Sequence, residues 1–477
     1  MNRRYAPPSI SAELGARPIE AAADRSGFAR VREARVLRAI GGAPVEALAA
    51  RFGTPLFVYA EQTLRERARA MRAAFESRYP DVSFVWSVKT NYLNAICAVF
   101  RDEGWGAEVV SEFEYDKVRA QGFDGSAIVY NGPWKSQPSL RRAIADGALI
   151  QIDNWDELAR IEDLAEDAAG PIRVGLRIWM DCGIEPVWSR FGFALGNGEA
   201  ARAAARVIGN PRLGLHTLHS HIGTYVLSPG AYGVATRKLA ALRDEIEAEH
   251  GHLVPCLNLG GGFPSHGLLH AMPGPAERVV PPIEAYADAI TAVLRRLPAK
   301  RRPLLRLETG RHLIDDAGHL ITRVVAVRDA GIAVAAGNDL GAIAMKEQML
   351  ISDAARLGYV LDAGVNLLYT AAWFRIEALP ARDSDLPPLP AALYGPLCMA
   401  IDVIRSRVEL PPLDAGDLLT LWPVGAYNEV QSMQFISYRP AAVLVAPDGT
   451  PELIRARETL ADVERGEAVP ARLGARP

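Results

Sequence analysis

The residues with most chemistry to offer stand at the ends of apolar runs. Phe84-Val85-Trp86-Ser87-Val88 is β-branched and aromatic and stops at Lys89, so it reads as a buried strand delivering an amine to the rim of a sheet. Such a lysine either snorkels to water or, partly desolvated, attacks a carbonyl. His219-Ser220-His221-Ile222-Gly223-Thr224, Gly260-Gly261-Gly262 and Glu308-Thr309-Gly310-Arg311 follow three other apolar runs. A triple glycine alone marks only a turn. Bare amides beside a hydroxyl and a guanidinium, gathered from several loops, are what a phosphate needs. An amine, a phosphate cradle and a carboxylate on one rim suit pyridoxal 5′-phosphate, its aldehyde on Lys89 and its ring between the two ends. His219-x-His221 also has the spacing of metal ligands in barrel hydrolases. No further His/Asp cluster stands at the other run ends and a metal would leave the glycines unexplained, so no metal is expected.

The elements that must position these residues are legible as alternation. Eight apolar runs, at 82–88, 107–110, 127–130, 149–152, 172–178, 213–218, 255–259 and 304–307, alternate with helix-like segments such as 156–168, 199–208, 230–249 and 283–297. Such alternation implies parallel pairing, and eight units imply an α/β fold of the closed (β/α)8 type, with a doubly wound open sheet as the alternative. In either, chemistry belongs at the carboxyl ends of the strands, where Ser111, Asn131 and Arg177 join the set above. Upstream lie a short helix from Pro44 to Phe52, a strand at 55–59 and a helix at 61–78. Beyond Arg311 the segments 319–329, 331–336, 359–362, 403–410, 417–422, 434–438 and 442–446 read as strands, 379–396 as a long Pro-rich connection and 454–465 as a closing helix. The expected domains are an N-terminal extension at 1–43, the barrel at 44–320, with the strand near 55–59 joining either it or the β domain, a mainly β domain at 321–465 and a tail at 466–477.

Composition bounds the partners. With 477 residues, 49% hydrophobic, the chain can bury a large core. Its 53 basic and 56 acidic side chains give no footprint for nucleic acid. No apolar span is long enough for a bilayer and the start MNRRYAPPSISAELGARP lacks the apolar core of a signal peptide, so a cytoplasmic location is expected. Cys97, Cys182, Cys256 and Cys398 are scattered, which fits reduced thiols.

The motifs WSVKTN, GAEVVSEFEYDKVRAQGF, SRFGF, HIGT, LNLGGGF, ETGR, LDAG, GPLC and VGAY, in that order over about residues 45–460, resemble the diaminopimelate/ornithine decarboxylase family, pyridoxal-phosphate enzymes of the alanine-racemase-like fold. The resemblance implies that Lys89 carries the cofactor, His221 stacks on its ring and Glu308 pairs with the pyridine nitrogen. It implies further that Gly223, Thr224, Gly261, Gly262, Gly310, Arg311 and Tyr427 contact the phosphate. Racemases of this fold place an arginine where Glu308 stands, so the acid points to loss of an α-carboxylate rather than racemisation; a non-catalytic relative is the remaining alternative. Cys398 matches a cysteine that reaches a neighbouring subunit's ring, which implies a homodimer with shared sites, and makes it the candidate proton donor. Arg177, Thr370, Phe374 and Met399 are the expected substrate-side residues. Family members carry arginine at the position of Thr370, tyrosine at Phe374 and an acid at Met399. Leaving a distal ammonium without that acid costs about 3–5 kcal/mol if it is enclosed, so the expected substrate is an apolar or tethered amino acid. The loop 263–282, with His266 and His270, is expected to be solvated or to shape the pocket.

Overall fold

The computed structural model describes residues 35–270, 272, 275–329 and 357–474. These fall into two compact units, one of Thr63–Asp316 and one that joins residues up to 62 to those from 317 onward.

The first unit holds eight strands: β1 (Val82–Ser87), β2 (Gly106–Val109), β3 (Ile128–Tyr130), β4 (Leu149–Ile152), β5 (Ile172–Trp179), β6 (Leu213–His219), β7 (Cys256–Asn258) and β8 (Leu304–Thr309). Each pairs in parallel with the next and β8 pairs with β1, in the register Leu307↔Phe84 and Thr309↔Trp86. That last pairing closes the ring and rules out the open sheet. Side chains alternate across it. On β1, Trp86 points outward and stacks on Phe100 at 4.1 Å, and Phe84 meets Phe75 edge-on at 6.3 Å, while Ser87 turns inward. Helices between strands start on side-chain caps: Ser111, Ser136 and Asn154 each accept the backbone N–H three residues on.

The second unit is built on the strand Leu56–Ala60, fully buried between Gly318–Asp329, antiparallel to it, and Ala441–Val445, parallel. The helix Val45–Phe52 packs Val45, Leu48 and Ala49 into the same core as Val58, Ile321 and Val443. The strand at 55–59 thus joins the β unit, the second of its two expected placements, and it takes with it the rest of residues 44–62, expected with the barrel, and Ile40 from the expected extension. The segment 379–396 is not a plain connection, because it contains the whole strand Leu389–Tyr394 and the end of Glu377–Pro380. At 454–465 the helix shrinks to Leu460–Glu464, since Pro451–Arg455 pairs with Ala441–Val445. No strand forms at 434–438, where Ile436 has φ 65°. The expected strand 331–336 lies outside the described residues, as does most of the extension. Among the described residues no helix is long and apolar enough to cross a membrane.

Candidate active site

The carboxyl ends of the barrel strands carry a connected polar network. After Ser87 the chain makes a single 3₁₀ turn, Val88–Thr90, which buries Val88 and Thr90 and lifts Lys89 over the rim. Lys89 Nζ donates to Glu108 Oε2 at 2.6 Å and to Ser87 Oγ at 2.9 Å, and Ser87 Oγ donates to the same carboxylate oxygen. Glu108 sits at the end of β2 and is buried.

Opposite stands Glu308, near the end of β8. Asn258 Nδ2 donates to its Oε1 at 2.7 Å and Asn131 Nδ2 to its Oε2 at 2.9 Å, while His219 Nε2 lies 3.3 Å from Oε2. Burial pushes the Glu308 carboxyl up, but His219, Lys89 and the Asn131 amide together outweigh it and hold the group well below the usual carboxylate range. It is an anion. Neither arginine nearby in sequence pairs with it: Arg311 turns to Asp315 at 3.3 Å and Arg306 to Ser83 Oγ at 3.4 Å. The Asn131 amide also donates to Glu108 Oε1 at 3.1 Å, so one side chain ties the two carboxylates together. Its buried Oδ1 has no hydrogen-bond partner among the described residues.

The glycines between these groups are required by close approach. A Cβ on Gly261 would lie 2.1 Å from the Glu308 carbonyl oxygen, one on Gly262 2.3 Å from that of Gly223, and one on Gly310 2.1 Å from Thr90 Oγ1. The loops after β6, β7 and β8 are thus nested backbone against backbone, and Tyr232 OH braces them by donating to the Gly261 carbonyl at 2.7 Å. The Gly261 N–H donates to His221 Nδ1 at 3.1 Å. Its enclosed position, then Arg177 and Lys89, push the His221 imidazole well below its ordinary value. The ring is therefore neutral, with its proton on Nε2, and its edge meets Trp188 at 5.1 Å. His219 and His221 serve different partners. Arg177 lies over the Phe191 ring at 4.6 Å and 3.9 Å from Asp153.

Lys89, Arg177, His221, Gly223, Thr224, Gly261, Gly262, Glu308, Gly310 and Arg311 thus belong to the barrel unit. Thr370, Phe374, Cys398, Met399 and Tyr427 belong to the β unit. There, Thr370 gives both its N–H and its hydroxyl to Asn428 Oδ1, at 3.0 and 2.9 Å. The loop bearing Cys398 is anchored on Asp402, whose two oxygens take the N–H groups of Val365 and Leu397, at 2.8 and 2.7 Å. Cys398 itself is exposed, Phe374 and Met399 are half-buried, and Tyr427 holds a left-handed turn at φ 63°. Of the partners of Lys89 and Glu308, Asn131 and His219 stand among the polar run ends of the sequence, whereas Glu108 and Asn258 lie inside motifs with no role assigned to them there. The signal that marks Glu108 and Asn258 is parity, since each is a polar residue on the inward-facing alternation of its strand.

The arrangement fits pyridoxal phosphate. It offers one amine, close-packed bare amides with an arginine for the phosphate, a flat neutral imidazole for the ring and a fixed anion for the ring nitrogen. Comparison with known proteins agrees. The family model for the pyridoxal-binding domain of pyridoxal-dependent decarboxylases matches residues 61–315. The diaminopimelate decarboxylase of Actinosynnema pretiosum subsp. auranticum is 30% identical over 444 residues, covering 90% of this chain and 92% of that protein. That of Methanothermobacter thermautotrophicus is 27% identical, covering 91% and 96%. The crystal structure of diaminopimelate decarboxylase from M. jannaschi superposes with a TM-score of 0.77 at 25% identity, covering 90% of this chain and 95% of that one. With its closed barrel, its β unit and this rim, the chain belongs to the pyridoxal-dependent decarboxylase family of fold type III and is a pyridoxal-phosphate-dependent amino-acid carboxy-lyase.

Proposed function

We propose that Lys89 is the covalent residue, Glu308 the electrostatic partner of the ring and Cys398 the group that returns a proton to the substrate's Cα. The observation that carries this reading is the Glu308 carboxylate, held by two side-chain amides with an imidazole at 3.3 Å and paired with no guanidinium among the described residues. When bound at this rim, pyridoxal phosphate would supply an aldehyde and an electron-accepting ring. The protein supplies the rest. Lys89 needs a neutral amine to react, and Glu108 Oε2, 2.6 Å away, is where its proton goes. Glu308 favours a proton on the ring nitrogen, which deepens the electron sink. His221, neutral, presents an apolar face without adding a competing charge. Gly223, Thr224, Gly261, Gly262, Gly310, Arg311 and Tyr427 are the proposed phosphate contacts.

For the substrate we propose an amino acid that lacks a free distal ammonium, with Arg177, Thr370, Phe374 and Met399 as its side-chain contacts. The curated relatives are named for diaminopimelate, but Met399 offers no charge to a second amino group. Carbon dioxide release across a panel of amino acids tests this. Apolar or conjugated substrates are expected to exceed diaminopimelate, lysine and ornithine by about a hundredfold or more in kcat/KM, the effect of about 3 kcal/mol. Comparable turnover of diaminopimelate would overturn the assignment.

The working form is proposed to be a homodimer in a reducing, cytoplasmic setting. The β unit exposes Tyr369, Trp373, Ile401, Phe435, Ile436 and Tyr438, each more than 40% accessible, a large apolar area for one chain to leave in water. Three of the four free thiols are buried. Sedimentation at micromolar concentration is expected to give twice the chain mass of 51.6 kDa. A monomer with full activity contradicts a shared site.

A further inference from the structure

The opposite mouth of the barrel carries a second polar layer that the reaction does not use. On β8 the inward face runs Leu304, Arg306, Glu308, which sets Arg306 about 7 Å along the strand from the candidate site. On β5 the same alternation puts Arg173 below Gly175 and Arg177. Between these strands lies Cys256 of β7; burial pushes its thiol up, while Arg306 and Arg173 both pull against that shift. Both guanidiniums stand on the inward alternation of their strands, toward the amino-terminal end of the barrel. Arg173 is held below its ordinary value by burial and then by Arg306, and His216 on β6 is pushed down to about 4 by burial, Arg173 and Arg306.

What is missing is the counter-charge. Among the described residues neither Arg173 nor Arg306 forms an ion pair, and Arg306 Nε only reaches Ser83 Oγ at 3.4 Å. Beside Arg306 opens a cavity of about 290 Å³, lined also by Ser83, Ser126, Arg72 and the backbones of Gly104 and Gly106. Two carboxylates close in sequence to the lining residues are already engaged. Asp124 takes the Ser126 hydroxyl at 2.6 Å, and Glu103 takes Arg65 and Arg69 at 2.8 Å each. A half-buried guanidinium at the wall of a polar cavity of this size, with Arg173 adding to the same positive field, is costly alone and is offset by an anion.

We propose that this amino-terminal mouth binds a small phosphate-type oxyanion, held by Arg306 and the Ser83 hydroxyl within the positive field that Arg173 completes. It is separate from the glycine cradle on the other rim. Two guanidiniums with a hydroxyl suit a tetrahedral dianion better than a planar monoanion, since one more charge is neutralised and a third oxygen is engaged.

The test uses the holoenzyme, whose cradle is filled by its own cofactor. Inorganic phosphate is titrated against chloride at constant ionic strength. A saturable rise in Tm of about 2–3 °C is expected, together with an upward shift of the His216 ring titration read by NMR, because the anion offsets the two guanidiniums. Arg306→Gln is expected to be at least as stable as the parent without phosphate, since a repulsion is removed, and to lose the phosphate-dependent rise. Arg173→Gln should weaken it. No saturable rise over chloride overturns the site, as does a rise that survives in both variants. An equal response to acetate overturns the phosphate assignment. If Arg306→Gln does not fold, Arg173→Gln and the His216 shift decide the matter.

Discussion

Lys89→Arg is expected to lose turnover by roughly a thousandfold or more, and with it the visible absorbance of lysine-bound cofactor. The arginine variant is the informative one. Glu108 is 1% exposed and takes Lys89 as a donor at 2.6 Å, so Lys89→Ala removes the nucleophile and also strands a buried carboxylate, at about 3–5 kcal/mol. A guanidinium keeps a cation beside Glu108 but holds its proton at every accessible pH and cannot condense with an aldehyde. If the alanine variant unfolds while the arginine variant folds and stays colourless, the amine is separated from the ion pair. Retention of colour and of more than a tenth of kcat in Lys89→Arg removes Lys89 from the reaction. Borohydride treatment followed by peptide mapping supplies the converse, a stable adduct on Lys89 in the parent enzyme.

That lysine was legible because its surroundings are local. An apolar run stopping at one amine needs no tertiary knowledge, and the same holds for Gly260-Gly261-Gly262 and for Glu308-Thr309-Gly310-Arg311. Eight alternating runs likewise yield the barrel, because a parallel strand buried on both faces is a contiguous apolar segment. The partners of Glu308 are different. Asn131 follows β3, and Asn258 and His219 end β7 and β6; which inward residues meet across a barrel depends on its stagger, which no stretch of sequence carries. Arginine at 306 or 311 is the nearer partner along the chain, yet the two-residue offset along β8, about 7 Å, and the helical turn after Gly310 send both elsewhere. The β unit was read least well for the same reason. Pro451–Arg455 has charges at helical spacing, but Ala441–Val445 offers it an edge and Arg455 anchors to Glu429 and the Pro440 carbonyl. Tertiary pairing overrides local preference there.

Glu308→Gln is the second large effect expected, a fall in kcat of roughly 10²–10³-fold, or about 3–4 kcal/mol. The substitution keeps size and shape, so the cradle and Lys89 stay in place and cofactor affinity should change far less than rate. Two things are lost. A neutral amide does not favour a proton on the ring nitrogen, so the electron sink weakens. The amides of Asn131 and Asn258 both donate to Glu308, and a glutamine can accept through one atom only, so one donor faces another until a side chain turns. The sign of the pH dependence follows from the depressed carboxyl. A folded value below the unfolded one, about 4.3, gives stability that is present above that pH and is lost as pH falls toward the folded value. The parent's advantage over Glu308→Gln in denaturant midpoint should therefore be constant at neutral pH and shrink below about pH 4. A variant within threefold of the parent in kcat, with an unchanged gap in stability down to low pH, would show that Glu308 carries no charge to the ring.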